Sequence, residues 1–304
     1  MARRGAAAGG VSERFPLDWL RLRESADLAA RSPALARSFA AAMPATRPLR
    51  LIDLAAGGGA NTRALLPRIS GDQHWCLIDR DRDLLTAQGE EFTLWARRQG
   101  YPVTAGGGRV LIEARPARWQ IEAMPLDLDG DFATLAEAEF DGITAASFFD
   151  LVALEWLERF VALLAERRVP FLAALTVDRG RDWQPRHDDD ALIANAFAAH
   201  QRRVKDFGPA LGANAPDVME ALLQQAGFRT ERAASDWRLG MGDRGARDQA
   251  LLAALIAGEA GAAREAVPAV ADRIDGWEKG RLALLAERRL SLTVGHCDLL
   301  ALPA

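Results

Sequence analysis

The chain has 304 residues, 49% of them hydrophobic, and a formal net charge of −4. That composition supplies a globular core, and the acidic balance disfavours nucleic acid as a partner, because phosphate backbones demand a basic face. Apolar stretches are broken by charges well short of about eighteen residues, so no membrane span is expected, and two cysteines far apart in sequence point to a reducing, cytoplasmic setting without a disulfide framework.

Residues 1–12 are rich in Arg, Ala and Gly, lack the apolar centre of a secretory signal, and read as a disordered tail. The rest, 13–304, reads as one domain. From Phe15 to Met43, Leu20, Leu28, Leu35 and Phe39 recur at helical spacing, so 13–45 is expected to form one or two cap helices. Arg23, Asp27 and Arg31 stand at i, i+4 and i+8 and make one polar stripe. Such a stripe is either an ion-paired solvent face or a helix laid over a ligand mouth.

Leu49 to Thr62 reads LRLIDLAAGGGANT. An apolar run ends in Gly57, Gly58 and Gly59, and a helical pattern starts near Asn61. This is the grammar of a nucleotide-binding βα unit. Glycines let backbone approach a ligand, and the helix start offers free N–H groups to a phosphate or a carboxylate. A second run, Trp75 to Asp79, closes on an acid suited to accept hydrogen bonds from a ribose diol. Arg80 to Arg98 reads as a long amphipathic helix and Tyr101 to Gly108 as a glycine-rich turn. Arg109 to Ile112 is expected as a short edge piece and Arg118 to Met124 as the third sheet strand. Phe140 to Phe149 is the fourth strand, leading into a helix from Leu151 to Arg167.

Val169 to Val177 is the fifth strand. The stretch 178–216, rich in Arg, Asp, His and Trp, reads as a substrate-side insertion carrying a helix from Ala191 to Lys205. Trp183, Arg186 and Gln201 are its candidate substrate contacts. His200 is either a satisfied structural histidine or a base at the substrate mouth. The run Arg186 to Asp190 invites a metal reading, but contiguous residues do not ligate from one face and Asp190 is a ready helix cap. No metal is expected. Ala215 to Gly227 is an amphipathic helix with a glycine stop. Phe228 to Leu239 is the sixth strand, 243–290 a second helical insertion in which Trp277 and Arg281 share a face, and Ser291 to Pro303 the last strand. His296 within it reads as structural.

The stretch Asp53-Leu54-Ala55-Ala56-Gly57-Gly58-Gly59 resembles motif I of the class I S-adenosylmethionine-dependent methyltransferases, with Ala55 in place of the first glycine. The resemblance covers about residues 45–304. It implies an α/β, Rossmann-like, seven-stranded sheet of order 3-2-1-4-5-7-6, its last strand antiparallel, with helices on both faces. S-adenosylmethionine is the implied cofactor. Asp53, Ala55, Gly57 and Gly59 would serve the adenosine end through the glycine turn, Asp79 with Arg80 the ribose, and Asp127 with Leu128 the adenine, while Asn61 and Thr62 at the helix start would meet the amino-acid end. Arg31 would reach its methionine carboxylate, and Ser147 would line the methyl end. Phe148 and Phe149 would meet the acceptor, with Asp150 or His200 as a base if a proton must leave. The expected acceptor is a small molecule. Alternatives are a non-catalytic cofactor-binding or scaffold protein and an RNA methyltransferase, although Ala146-Ser147-Phe148-Phe149 is not the N-P-P-(Y/F) loop common in nucleic-acid enzymes of this fold. An NAD-dependent oxidoreductase lacks support: Thr62 stands where G-x-G-x-x-G needs its third glycine. In the implied order Cys76 and Cys297 lie four strands apart, about 19 Å. A disulfide between them would contradict the fold.

Overall fold

The computed structural model describes residues 15–44, 48–201, 208–241 and 245–304, except the side chains at 201, 246 and 247. The expected 1–12 tail lies outside the described residues.

The described chain opens with α1 (Leu17–Ala30) and α2 (Pro33–Ala41). Ser32 caps α2 by accepting from the Leu35 amide, and Pro33 follows where no amide hydrogen is needed. β1 (Leu49–Leu54), α3 (Ala60–Leu65), β2 (Gln73–Asp79) and α4 (Arg82–Arg98) follow. α4 begins where Asp81 accepts from the amides of Asp83 and Leu84, and it buries Leu84, Gln88, Phe92 and Ala96 along one face. Next come β3 (Val103–Gly106), β4 (Arg109–Ala114), β5 (Ala117–Pro125), α5 (Phe132–Glu137), β6 (Gly142–Ala146), α6 (Leu154–Arg167) and β7 (Phe171–Gln184). The last part holds α7 (Asp190–Gln201), α8 (Ala215–Gln225), β8 (Phe228–Ala234), β9 (Trp237–Leu239), α9 (Gly245–Ala266), α10 (Ala271–Ala286) and β10 (Ser291–Pro303).

One sheet takes the order β3-β4-β5-β2-β1-β6-β7-β10-β8, with β9 also on β10. β5, β2, β1, β6 and β7 run parallel, while β10 is antiparallel to β7 and β8. β1 buries Leu49, Leu51, Ile52 and Leu54 on both faces, as a central parallel strand must. The sheet therefore has ten strands where seven were expected. The expected order runs inside it as β5-β2-β1-β6-β7-β10-β8. At one edge β4 takes the place of the expected short edge piece, and β3 is added beside it from the stretch read as a turn, because Gly107 and Gly108, at φ +60 and +77, close a two-residue hairpin. The expected sixth strand breaks at Ser235 and Asp236 into β8 and β9.

β7 runs to Gln184, not Val177, since its outer half pairs with Ser291–Val294 of β10. The stretch expected to open an insertion thus opens as sheet. Register shifts in β10 flank His296 and Cys297, and beside them the Asp298 carboxylate accepts from the Ser32 amide at 2.7 Å and the Leu175 amide at 2.8 Å. That buried acid ties α2 to the sheet.

Apolar cores fill both faces of the sheet, under α6 and α8 on one side and under α2 and α4 on the other. A third core gathers Trp183, Trp237, Trp277, Leu252 and Ile256 between α7, α9, α10 and the outer ends of β7, β9 and β10. Trp19 and Leu22 of α1 pack against it. Inside it Arg281, fully buried, bonds to Asp190 and to the Pro185 carbonyl between the Trp183 and Trp277 rings. Cys76 and Cys297 are both free thiols, on β2 and β10, four strands apart. No helix among the described residues is long and apolar enough to cross a membrane.

Candidate functional site

A cavity of about 590 Å³ opens at the carboxyl ends of β1, β2 and β6, beside the glycine turn. This is where an open α/β sheet leaves a crevice, because the helices that follow the neighbouring strands β1 and β6 lie on opposite faces of the sheet. α1 roofs it. A Cβ built on Gly57 would come within 2.9 Å of Leu20, and one on Gly58 within 3.2 Å of Leu17. Glu24 of α1 pairs with Arg63, whose Nη1 also donates to the Gly58 carbonyl. The charged stripe of Arg23, Asp27 and Arg31 therefore faces the cavity, not solvent.

The turn is held from below. Gly59 sits at φ +80, and a Cβ there would strike Phe92 of α4 at 2.5 Å, so only glycine fits. Gln88 of α4 donates to the Gly57 carbonyl at 2.7 Å. Ala55 takes φ +48 and Ser147, past β6, takes φ +53. Both line the cavity in a conformation that costs a non-glycine residue about 1–2 kcal/mol.

Asp53 is fully buried, and its carboxylate accepts from Asn61 Nδ2 and Thr62 Oγ1, each at 2.7 Å. Burial pushes its pKa up to about 6, against the pull of those two hydrogen bonds and of Arg31. Asn61 in turn accepts from Arg31 Nη1 at 2.6 Å. The Arg31 guanidinium is buried deeply enough to lower its proton affinity. Asp79 ends β2 and accepts from the Gly57 amide at 2.8 Å and the Asp81 amide at 2.9 Å. Burial raises its pKa too, with the two amides opposing. Each carboxylate oxygen has two lone pairs, so Asp79 keeps acceptor capacity beyond the two amides. Arg23 donates to Asp27 from Nε at 3.0 Å and from Nη2 at 3.1 Å, and to Ser147 Oγ at 2.6 Å. Trp237 lies 4.8 Å beneath the guanidinium and donates to Asp27 at 3.0 Å.

Of the residues singled out from sequence, the cavity wall contains Arg31, Asp53, Ala55, Gly57 and Asn61, and also Asp79, Arg80, Leu128, Ser147 and Phe148. Others lie elsewhere. Gly59 packs on Phe92, and Thr62 is buried behind Asp53. Asp127 is exposed and closes a turn by accepting from the Asp129 amide, while its neighbours Leu126 and Leu128 face the cavity. Phe149 is core, edge-on to Phe171 and against Phe160, because the chain turns inward after Phe148. Asp150 sits in the same short turn, outside the cavity lining. His200 bonds to Glu265 of α9 at 3.1 Å, outside the cavity lining. Trp183 is in the third core, with its indole on Glu259, and Arg186 is exposed outside the cavity. The Gln201 side chain is outside the described residues.

His296 is buried and structural: its Nδ1 lies 3.0 Å from the Val294 carbonyl, which only accepts, so that nitrogen carries the hydrogen. Sequence reasoning missed Gln88, Leu126 and the roofing Leu20. Gln88 had a signal, being the polar residue on the apolar ladder Leu84, Phe92, Ala96. Among the described residues no group of three or more His, Cys, Asp or Glu is placed to hold a metal ion.

No protein-family model and no curated protein matches this chain. Solved structures similar to it include a cyclopropane synthase from Mycobacterium tuberculosis, 11% identical over 88% of this chain and 83% of that one, TM-score 0.44. A methyltransferase from Thiobacillus denitrificans in complex with S-adenosyl-L-homocysteine is 14% identical over 95% and 99%, TM-score 0.43. A counterpart from Geobacter sulfurreducens, with the same ligand, is 13% identical over 93% and 98%, TM-score 0.43. The strand order, the glycine turn after β1 and the acid at the tip of β2 together give this chain the fold of the class I S-adenosylmethionine-dependent methyltransferases.

Proposed function

We propose that the cavity binds S-adenosylmethionine and that the protein transfers its methyl group to a small-molecule acceptor. The observation that carries this is one cavity whose ends differ in chemistry as the cofactor's ends do. At one end the buried Arg31 guanidinium, set by Asn61, suits a carboxylate. At the other, Asp79 stands fixed on the glycine turn to accept from a ribose hydroxyl, and Leu84, Leu126 and Leu128 offer apolar walls to an adenine ring. When bound there, the cofactor supplies a methyl group already activated on a sulfonium. The chain's own work is to align and to exclude water.

α1 does the second. Its leucines cover the glycine turn, and the Arg23–Ser147 bond closes the roof onto the end of β6. Ala146, Ser147 and Phe148 form the wall where the acceptor enters. A roofed cavity of about 590 Å³ suits a small acceptor beside the cofactor and not a polymer. The free thiols belong with the same reading of a cytoplasmic enzyme.

Thermal unfolding with saturating S-adenosylhomocysteine, and separately with NAD, tests the cofactor. A ligand at about a hundred times its Kd stabilises the native state by about 2.7 kcal/mol. S-adenosylhomocysteine is expected to raise the midpoint and NAD to leave it unchanged. The reverse pattern, or no shift with either, would refute the proposal.

A further inference from the structure

The cavity end beside Ser147 is poor in proton acceptors. Its walls are Ala146, Ser147, Phe148 and Leu151 from beyond β6, with Arg23 and Asp27 from α1. Among the described residues lining the cavity there is no histidine, lysine, cysteine, tyrosine or glutamate. Of the aspartates that line the cavity, the two toward this end are engaged. Asp27 accepts from Arg23 and from the Trp237 indole, and Asp53 accepts from Asn61 and Thr62. Asp79, Asp81 and Asp83 stand at the opposite end, beyond β2. A phenol, an alcohol or an ammonium must lose a proton to become a nucleophile, and among the described residues lining this end only the already hydrogen-bonded Asp27 and Asp53 could take it. An acceptor that arrives with its lone pair available needs no such group.

Arg23 indicates which acceptor. Asp27 occupies one edge of its guanidinium fork, through Nε and Nη2, and Ser147 Oγ accepts the other Nη2 hydrogen. Nη1 has no hydrogen-bond partner among the described residues. The side chain is only 13% exposed and rests on the Trp237 ring, so the cation is fixed and largely stripped of water. Ser147 accepts from Arg23 and so keeps its own hydrogen to donate. An open guanidinium nitrogen beside a free hydroxyl hydrogen is a receptor for a carboxylate. Phe148 and Leu151 beside it suit an apolar body behind that carboxylate. Arg31, across the cavity against Asn61, is left for the cofactor's own carboxylate.

We propose that the acceptor is a small apolar carboxylic acid, held as its carboxylate by Arg23 and Ser147 and released as its methyl ester. One carboxylate oxygen forms the new O–CH3 bond with its lone pair. The methyl–sulfur bond breaks with its electrons on sulfur, and no proton changes hands. The inference rests on the cofactor reading above.

The test is calorimetric titration of the S-adenosylhomocysteine-loaded protein with benzoate and with benzamide, in the native chain, Arg23→Gln and Arg23→Lys. The native protein is expected to bind benzoate at least about tenfold more tightly than benzamide, a difference of about 1.4 kcal/mol. Arg23→Gln is expected to lose that preference and Arg23→Lys to restore part of it. Equal affinity for the two probes, binding of neither, or a preference that survives in Arg23→Gln would overturn the proposal. The native ratio and the lysine variant decide the matter if the glutamine variant does not fold. Loading is measured first: failure to bind S-adenosylhomocysteine would overturn the cofactor reading itself, whereas loading without benzoate preference overturns the carboxylate acceptor alone.

Discussion

Two buried groups near the cavity titrate in the same pH range with opposite consequences. Asp53 is fully buried, and burial lifts its pKa from the ordinary 3.8 to about 6. The native state therefore keeps a proton that the unfolded chain has already lost. Stability from this group is complete below pH 3.8 and is lost as pH rises through about 6. His296 behaves in the opposite sense. Burial, with the nearby Arg23 charge, lowers its pKa from 6.5 to about 4. Its contribution is complete above pH 6.5 and is lost as pH falls through about 4. Each separation is worth about 3 kcal/mol, since a tenfold change in proton affinity is worth about 1.4 kcal/mol. In the native chain the two slopes nearly cancel between those limits.

Single substitutions unmask them. Urea unfolding from pH 4 to 7.5, followed by tryptophan fluorescence, gives stability at each pH for the native chain, Asp53→Asn and His296→Asn. Relative to the native chain, Asp53→Asn is expected to gain about 3 kcal/mol as pH rises through the window, and His296→Asn to lose about as much. Asp79, Asp178 and Glu259, also raised by burial, are common to all three proteins and drop out of the differences. The absolute stability at one pH does not decide the matter, because each substitution also alters hydrogen bonds. The slopes do. Parallel curves for all three proteins would refute the assignment of buried, oppositely shifted groups.

Ala55→Gly removes a Cβ from a residue at φ +48 and is expected to stabilise the chain by about 1 kcal/mol, read as a higher urea midpoint; a lower midpoint would mean the turn is not strained there. Arg281→Ala removes a fully buried cation and leaves Asp190, itself 25% exposed, without its ion pair, and is expected to cost about 1.5–3 kcal/mol. Its affinity for S-adenosylhomocysteine should stay unchanged at temperatures where it remains folded, and a loss there would show that the third core supports the cofactor cavity.

What could be read from sequence was local. The run Leu49 to Leu54, the glycines after it and the acid at Asp79 lie within short stretches whose geometry follows from neighbouring residues, and the structure places them together. Asp127 is instructive by contrast. Its position after β5 is where the resemblance puts an acid, yet the carboxylate turns back onto the Asp129 amide and leaves Leu126 and Leu128 to face the cavity. A run of acids says nothing about which side chain points inward. The stripe of Arg23, Asp27 and Arg31 had two readings because helical spacing shows which residues share a face but not what covers that face. The cover came from Trp237 and Ser147, 210 and 124 positions away from their partners on α1. Distance in sequence likewise hid the fate of Trp183. Read as a substrate contact, it belongs to a core that forms only when α9 and α10 return to β7. Of the edge hairpin, β4 was legible as a short edge piece, and its partner β3 was hidden for the opposite reason, since the two turn glycines look like loop until strands on both sides are counted.

The central claim is that Asp79, fixed on the glycine turn, holds the ribose of an S-adenosyl cofactor. Calorimetric titration of the native chain and of Asp79→Ala with S-adenosylhomocysteine tests it most directly. The account predicts saturable one-to-one binding by the native chain that weakens at least about a hundredfold in the variant, about 2.7 kcal/mol. Binding of equal strength in both proteins, or no binding in the native chain, would contradict it.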